Sequence, residues 1–309
     1  MLETLINPKK AERKSWELLL IGLLYSIISV LIADIIFVKD PVFVKHLDIL
    51  IITFTTMFSI PFMYYLIKYE EAKDLQIKQE KKLLREHGKA LLALLFLFLG
   101  YVIAFALIYM IFPQHITETN FKIQVETYCA INSGSVHCLD KQGLINYKPR
   151  IEASASIDAK MTTLASILSN NFQVLIISLF FSFVFGAGAI FILAWNASVI
   201  GAAIGIFAKH PAFLYKGLLR YMIHGIPEIA AYFIVALAGG IIGIAVIRHE
   251  FNTEKFWSTL RDSLDLIILA LLILVAAGFI EVFITPLFLK KKVKKAKKVT
   301  EKIKRVQKK

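Results

Sequence analysis

Cysteine and acidic residues are scarce in this chain. Its 309 residues include two cysteines, and 23 acidic residues stand against 36 lysines and arginines. The two cysteines and the nearby His137 are too few ligands for a zinc site. The chain also lacks the G-x-S-x-G, H-E-x-x-H and phosphate-binding glycine motifs of common enzyme classes. We therefore expect no enzyme activity, no cofactor and no metal site.

Apolar residues are abundant. They make up 57% of the chain and give a mean hydropathy of +0.66, above the roughly 45–50% of soluble domains. A membrane-spanning helix needs about 20 apolar residues. The sequence therefore predicts an all-α polytopic membrane protein with about six transmembrane helices, over 16–38, 48–67, 90–112, 172–195, 221–247 and 266–289.

Basic residues are concentrated on one predicted side of the membrane. If both termini are cytoplasmic, the cytoplasmic segments hold 26 of the 36 lysines and arginines, as the positive-inside rule requires. We expect a multi-pass plasma-membrane protein with cytoplasmic termini. The lysine-rich tail 290–309 is expected to lie near anionic lipids, and no specific nucleic-acid partner is expected.

Four regions follow from this topology. Residues 1–112 carry the first three helices and a charged cytoplasmic connector, 68–89, interpreted as a solvated helix or, alternatively, as a partner-docking helix. An extracytoplasmic loop covers 113–170, and a membrane core covers 171–289. The basic tail follows.

The extracytoplasmic loop contains both cysteines. Residues 121–131 partly alternate between apolar and polar side chains, as an exposed strand does, and a turn follows. A two-residue turn at Ser133-Gly134 would place Cys129 opposite Cys138 in a pair close enough for a disulfide. We predict a small disulfide-bearing β-hairpin; two unpaired thiols are the alternative.

Residues 196–208 are apolar but cover only about 18 Å as a helix, too short to span a bilayer. We interpret them as a re-entrant or interfacial half-helix. Gly201 and Gly205 form a G-x-x-x-G pattern suited to close packing against the fourth or fifth helix.

Ionisable residues inside the apolar runs are the candidate site, because charge at membrane depth is costly. Glu228 and Glu281 are predicted at one depth, roughly 10–12 Å from the cytoplasmic ends of their helices. Alternatively, Pro227 begins a helix and Glu228 stabilises the helix dipole. The hypothetical polar cluster contains His224, Glu228, Glu281 and Asn196, with Arg220, Asn171, Gly225 and Pro227 as its surroundings.

Residues 170–286 resemble the stage II sporulation protein M family of integral membrane proteins. The resemblance rests on Asn170-Asn171 before a helix that ends in Gly-Ala-Gly, on Asn196 followed by Gly201, on His224-Gly-Ile-Pro-Glu228, and on the segment 276–285. It implies a scaffold that joins other proteins at a membrane, and it carries no biochemical activity.

Two functional classes stay open. The first is a non-enzymatic scaffold or subunit of a membrane complex, whose partners are the bilayer, other membrane proteins and, as an open alternative, a second copy of the chain. The second is a transporter or permease subunit with an intramembrane site for a cation or small polar solute. The buried acids and the broken segment 196–220 favour the second class, whereas the lack of an evident repeat between the halves counts against it.

Overall fold

The computed structural model describes residues 7–76, 80–133, 156–183, 187–208, 211–247 and 253–287. Every secondary-structure element within these ranges is helical. The helices are α1 (Pro8–Arg13), α2 (Trp16–Phe37), α3 (Leu47–Gln76), α4 (Glu80–Ile111), α5 (Gln114–Asn120), α6 (Lys122–Ser133), α7 (Ile157–Ser182), α8 (Ala187–Ala208), α9 (Pro211–Ile247) and α10 (Glu254–Phe279), and a π-helical turn (Ile280–Ile284) continues α10.

Six of the described helices are long and apolar enough to cross a membrane, namely α2, α3, α4, α7, α9 and α10 with its π turn. The predicted all-α membrane fold is therefore confirmed. Many large apolar side chains on these helices are exposed, for example Ile35, Phe180 and Leu272 at 77%, 71% and 64%. Such surfaces suit contact with lipid chains.

Glycines let α2 and α4 touch through their backbones. A Cβ added to Gly22 would lie 2.3 Å from the carbonyl oxygen of Leu97, and one added to Gly100 would lie 2.2 Å from that of Leu19. Small residues allow this approach between membrane helices, where dispersion replaces the hydrophobic effect as the driving force. The two glycines thus fix the α2–α4 crossing.

Two more glycine pairs join the later helices. Gly201 and Gly205 of α8 face Phe105 and Tyr109 of α4, where an added Cβ would come within 2.7 and 2.6 Å of the neighbouring side chains. The G-x-x-x-G pattern does mediate close packing, but its partner is the third spanning helix rather than the fourth or fifth. Gly239 and Gly243 of α9 pack in the same way against the end of α7.

The fourth predicted span, 172–195, is wrong in its position. The spanning helix is α7, which starts at Ile157 and runs through Asn170 and Asn171 to Ser182. The next helix starts at Ala187, so no helix begins at Asn196. The predicted half-helix is the second part of α8, whose apolar section, Ile190–Ile206, is shorter than the six spans.

Helix α8 lies at the centre of the bundle. It packs against α4, α3, α9, α7 and α6. Its buried side chains include Leu193, Ala194 and Ala197. A helix that is apolar on all sides is expected to be buried in this way.

The predicted β-hairpin is wrong in its first strand. Residues Lys122–Ser133 form the helix α6, and Tyr128 and Cys129 are buried against Ala203 of α8. The apolar residues of this stretch recur at helical spacing, and that period outweighs the partial alternation. Residues 134–155, which include Cys138, lie outside the described ranges.

Candidate functional site

Helix α9 carries Glu228 in its interior. The helix is continuous from Pro211 to Ile247 and includes Pro227. Glu228 is therefore not at a helix N-terminus, and the dipole explanation of this residue is wrong. Proline has no N–H and removes one backbone hydrogen bond from the preceding turn, a disturbance that membrane helices tolerate when neighbours compensate.

Two neutral groups bind the Glu228 carboxylate. The hydroxyl of Tyr232, one turn further along α9, donates to Glu228 Oε1 at 2.8 Å. The side chain of Asn171 in α7 also forms a hydrogen bond with Glu228. Asn170 Nδ2 donates to Asn171 Oδ1 at 3.2 Å, which leaves the Asn171 amide nitrogen for the carboxylate. The adjacent asparagines thus orient one donor towards α9.

Glu281 lies in the π turn that continues α10. The hydroxyl of Thr285 donates to the carbonyl oxygen of Ile280 at 3.1 Å. The next residue, Pro286, has no N–H, and its ring crowds the preceding turn, a common cause of helix distortion. Single π turns within helices occur often at functional sites. This turn places Glu281 within electrostatic range of both Glu228 and Tyr232.

The other predicted site residues are placed differently. Asn196 Nδ2 donates to the carbonyl oxygen of Ile192 at 2.8 Å within its own helix, and no described contact joins Asn196 to Glu228. A Cβ added to Gly225 would meet nothing within 4 Å, so packing does not require this glycine. His224 and Arg220 belong to α9, but their side chains are outside the description.

The described core of the site is thus Asn171, Glu228, Tyr232 and Glu281, contributed by α7, α9 and the π turn. Tyr232 was missed by sequence reasoning, although its position four residues after Glu228 puts both on one helix face. Two carboxyl groups within electrostatic range of each other at membrane depth favour protonation or a bound cation over two uncompensated charges. The chemistry available is therefore reversible binding of a proton, a cation or a cationic solute.

Comparison with known proteins identifies the region around this site. The sequence model of the stage II sporulation protein M family matches residues 89–286. The chain belongs to this family. An uncharacterized protein of Methanocaldococcus jannaschii is 30% identical over 161 residues, covering 50% of this chain and 84% of the relative. No solved structure matches.

The family region is wider than the segment 170–286 that carried the resemblance. It begins in α4 and includes α5 and α6 as well as the site helices. Helices α1, α2 and α3 precede it. Within the described chain, the sporulation-type core is thus extended by an N-terminal helical layer.

A buried ion cluster attaches this layer to α4, the helix in which the family region begins, and sequence reasoning missed it. The cluster contains Glu12 of α1, Glu70 and Lys73 of α3, and His87 of α4. Lys73 Nζ donates to Glu12 and, at 2.7 Å, to Glu70 Oε1. His87 Nδ1 lies 2.8 Å from Glu70 Oε2. The connector 68–89 is therefore not a uniformly solvated helix, because the Glu70 and His87 side chains are 0% and 2% exposed.

Glu12 gives this cluster a pH dependence. Burial, together with the neighbouring Glu70, raises the pKa of the Glu12 carboxyl to about 8. The folded state then binds more protons than the unfolded state between about pH 4.5 and 8, so this contribution to stability is complete at low pH and is lost as pH rises through 8. We expect the thermal stability of Glu12→Gln to fall less over this window than that of the unmodified protein.

The measurement is the melting temperature in detergent at half-unit pH steps. Glu118→Gln is the matched control, because Glu118 is an exposed acid on α5. The control should keep the original pH dependence. Equal pH dependence in Glu12→Gln and the unmodified protein would contradict the assignment.

Proposed function

We propose that the protein is a non-enzymatic scaffold or subunit of a plasma-membrane complex, with both termini in the cytoplasm. Membership of the stage II sporulation protein M family supports a membrane role, and the distribution of basic residues supports the orientation. The expected partners are other membrane proteins, with anionic lipids at the basic tail.

The orientation can be tested by labelling. An impermeant thiol reagent should fail to label a cysteine introduced at Thr300 in intact cells.

The observation that carries the scaffold proposal is the series of backbone-close helix contacts. Gly100 holds α4 against α2, Gly201 holds α8 against α4, and Gly239 holds α9 against α7. Closely packed interiors resist deformation. A bundle joined in this way suits a rigid platform that presents fixed surfaces to its partners.

Recovery of partners tests the scaffold. The full chain would be cross-linked in its own membranes, purified, and compared with an unrelated six-helix protein carrying the same tag. We expect one set of membrane proteins at a reproducible stoichiometry, and complex formation when the chain and that set are purified separately and mixed. Gradient-driven solute flux by the chain alone in proteoliposomes, with no partner recovered, would overturn the proposal.

A second candidate is a transporter or permease subunit that binds a cation or small polar solute. The specific observation in its favour is the proximity of Glu228 to Glu281 beside a π turn, with Tyr232 and Asn171 as neutral donors. Such a site accepts positive charge in a low-dielectric surrounding, where electrostatic attraction is strong. Flux that depends on a proton or cation gradient would favour this candidate.

Glu228→Gln and Glu281→Gln separate a structural from a transporting role. Each change keeps the side-chain shape and removes its charge. If the cluster fixes the register of α7, α9 and α10, we expect about 1–3 kcal/mol lower stability and partner recovery that falls in parallel. If the cluster takes part in transport, we expect the glutamine variants to lose solute flux while they keep the fold.

The control for these variants is Asp265→Asn, which changes an exposed acid on α10 and should alter neither property. Stability, partner recovery and flux that all match the unmodified protein in both glutamine variants would make the cluster incidental.

We also propose that Cys129 and Cys138 form a disulfide, although the hairpin used to align them is wrong. Cys129 is buried in α6, and the described residues contain no free cysteine. A predicted location outside the cytoplasm favours oxidation. Non-reducing mass spectrometry of the intact chain should give a mass lower than that of the reduced form by two hydrogen atoms. Alkylation of both thiols without reduction would exclude the bond.

A further inference from the structure

The junction between α5 and α6 lies against the ends of α2 and α3. Asn120, the last residue of α5, donates through Nδ2 to Asp34 Oδ2 at 3.0 Å. In α6, the backbone N–H of Ile123 donates to Asp48 Oδ2 at 3.0 Å, and Gln124 Nε2 is 3.4 Å from the Asp48 carbonyl oxygen. One short stretch of chain therefore brings two amide side chains beside two acids.

The carboxylate of Asp48 is stabilised by its own hydrogen bonds and by nearby charged groups. Besides Ile123, the N–H of Ile49 donates to Asp48 Oδ1 at 2.9 Å. The Lys122 ammonium and the His46 imidazole lie within electrostatic range of this carboxylate. No further ligand is needed to balance Asp48.

Three side-chain oxygens at the junction differ from those of Asp48. Asp34 Oδ1, Asn120 Oδ1 and Gln124 Oε1 are shielded from solvent, and no donor among the described residues forms a hydrogen bond with any of them. Asn120 and Gln124 are 1% and 0% exposed. The amide nitrogens of Asn120 and Gln124 already donate to an acceptor. Exchanging the oxygen and nitrogen positions of either amide would therefore break that hydrogen bond. Buried unsatisfied acceptors cost free energy and call for an explanation.

We propose that Asp34, Asn120 and Gln124 form a binding site for a hard metal cation of the sodium or calcium class. Carboxylate and amide oxygens are the ligands that hard cations prefer, and solvent water completes their coordination. The three unsatisfied oxygens are all acceptors, and Asp34 carries the one negative charge of the two acids that Lys122 does not face. A bound cation would tie the end of α2 to the α5–α6 junction.

This site is separate from the Glu228–Glu281 cluster. It involves α2, which precedes the family region, and it shares no residue with that cluster. Failure of the scaffold or transporter proposal therefore leaves the cation site standing, and the converse also holds.

Thermal unfolding of the full chain in lipid nanodiscs tests the proposal. The melting temperature would be measured in choline chloride, in sodium chloride and in choline chloride with calcium chloride, all at equal ionic strength. A cation at about a hundred times its Kd should raise the melting temperature by roughly 5 °C. The sodium and calcium arms identify which ion binds.

Two variants locate the effect. Asp34→Asn removes the charge, and Gln124→Met removes one oxygen while keeping the side-chain length; each should abolish at least half of the cation-dependent shift. Glu118→Gln, an exposed change on α5, should leave the shift intact. If Asp34→Asn fails to fold, Gln124→Met alone decides.

The same melting temperature in all three salts would show that ordered water satisfies these oxygens and would overturn the proposal. A cation-dependent shift that persists in the folded variants would place the ion elsewhere and would overturn it as well.

Discussion

Replacing Lys73 by methionine is expected to lower the free energy of unfolding by about 3–5 kcal/mol. Lys73 Nζ is the donor that joins Glu12 of α1 to Glu70 of α3. Both carboxylates are almost fully buried, with 6% and 0% of their side chains exposed. Removing the lysine leaves them close together in a low dielectric without their ammonium partner, which is the costly outcome for a buried ion pair.

Lys89→Met is the matched control. Lys89 also pairs with a glutamate, Glu86, but its side chain is 47% exposed. An exposed pair contributes about 0–1 kcal/mol. The two lysine variants should therefore differ several-fold in their effect on chemical or thermal unfolding, although each removes one positive charge.

A combined variant separates charge imbalance from lost packing. Glu12→Gln and Glu70→Gln, added to Lys73→Met, remove the two carboxyl groups that lose their ammonium partner and should restore part of the lost stability. If Lys73→Met unfolds no more easily than Lys89→Met, the cluster does not hold α1 to the bundle. If the combined variant is less stable than Lys73→Met alone, charge imbalance is not the cause.

The ion cluster shows a limit of reading charge from sequence. The stretch around Glu70 and Lys73 is rich in both signs, and such stretches usually lie in water. The stretch is buried only because Glu12 and His87, which are distant in sequence, pack against it. No local sequence pattern predicts which helices will pack together. The membrane spans could be predicted because hydropathy is a local property of the sequence. The buried ion pairs could not be predicted, because they join residues that are far apart in the sequence.

The errors in the later half have a related cause. A continuous apolar run was expected over 172–195, but the described helices end at Ser182 and resume at Ala187. Hydropathy measures whether a segment prefers lipid and is insensitive to a break within it.

The candidate site was predicted in part. The depth calculation for Glu228 and Glu281 used helix ends predicted at residues 221 and 289. Helix α9 already begins at Pro211, so the common depth of the two acids stays a prediction. Asn171 was expected at the edge of the cluster and contacts Glu228 directly. Asn196 was expected within the cluster, at the start of a half-helix, but it lies inside α8, which begins at Ala187, and its amide binds its own helix.

Replacing Gly100 by leucine is expected to destabilise the bundle by about 3 kcal/mol. The first added carbon would lie 2.2 Å from the Leu19 carbonyl oxygen and 2.8 Å from the Leu23 nitrogen. Both atoms belong to the backbone of α2, so no side-chain rotation can relieve the overlap. The two helices must separate, and the close contact at Gly22 is lost with them.

Gly88→Ala is the control, because Gly88 lies in the same helix and a Cβ there meets nothing within 4 Å. Alanine favours the helix over glycine by about 0.5–1 kcal/mol, so this variant should be equally or slightly more stable. The melting temperature and the fraction of monodisperse protein after detergent extraction measure both effects. A Gly100→Leu protein as stable as Gly88→Ala would mean that α2 does not contact α4 at Gly100. The expected order instead follows from geometry, because an added Cβ is harmless at Gly88, where space is open, and disruptive at Gly100, where two backbones already touch.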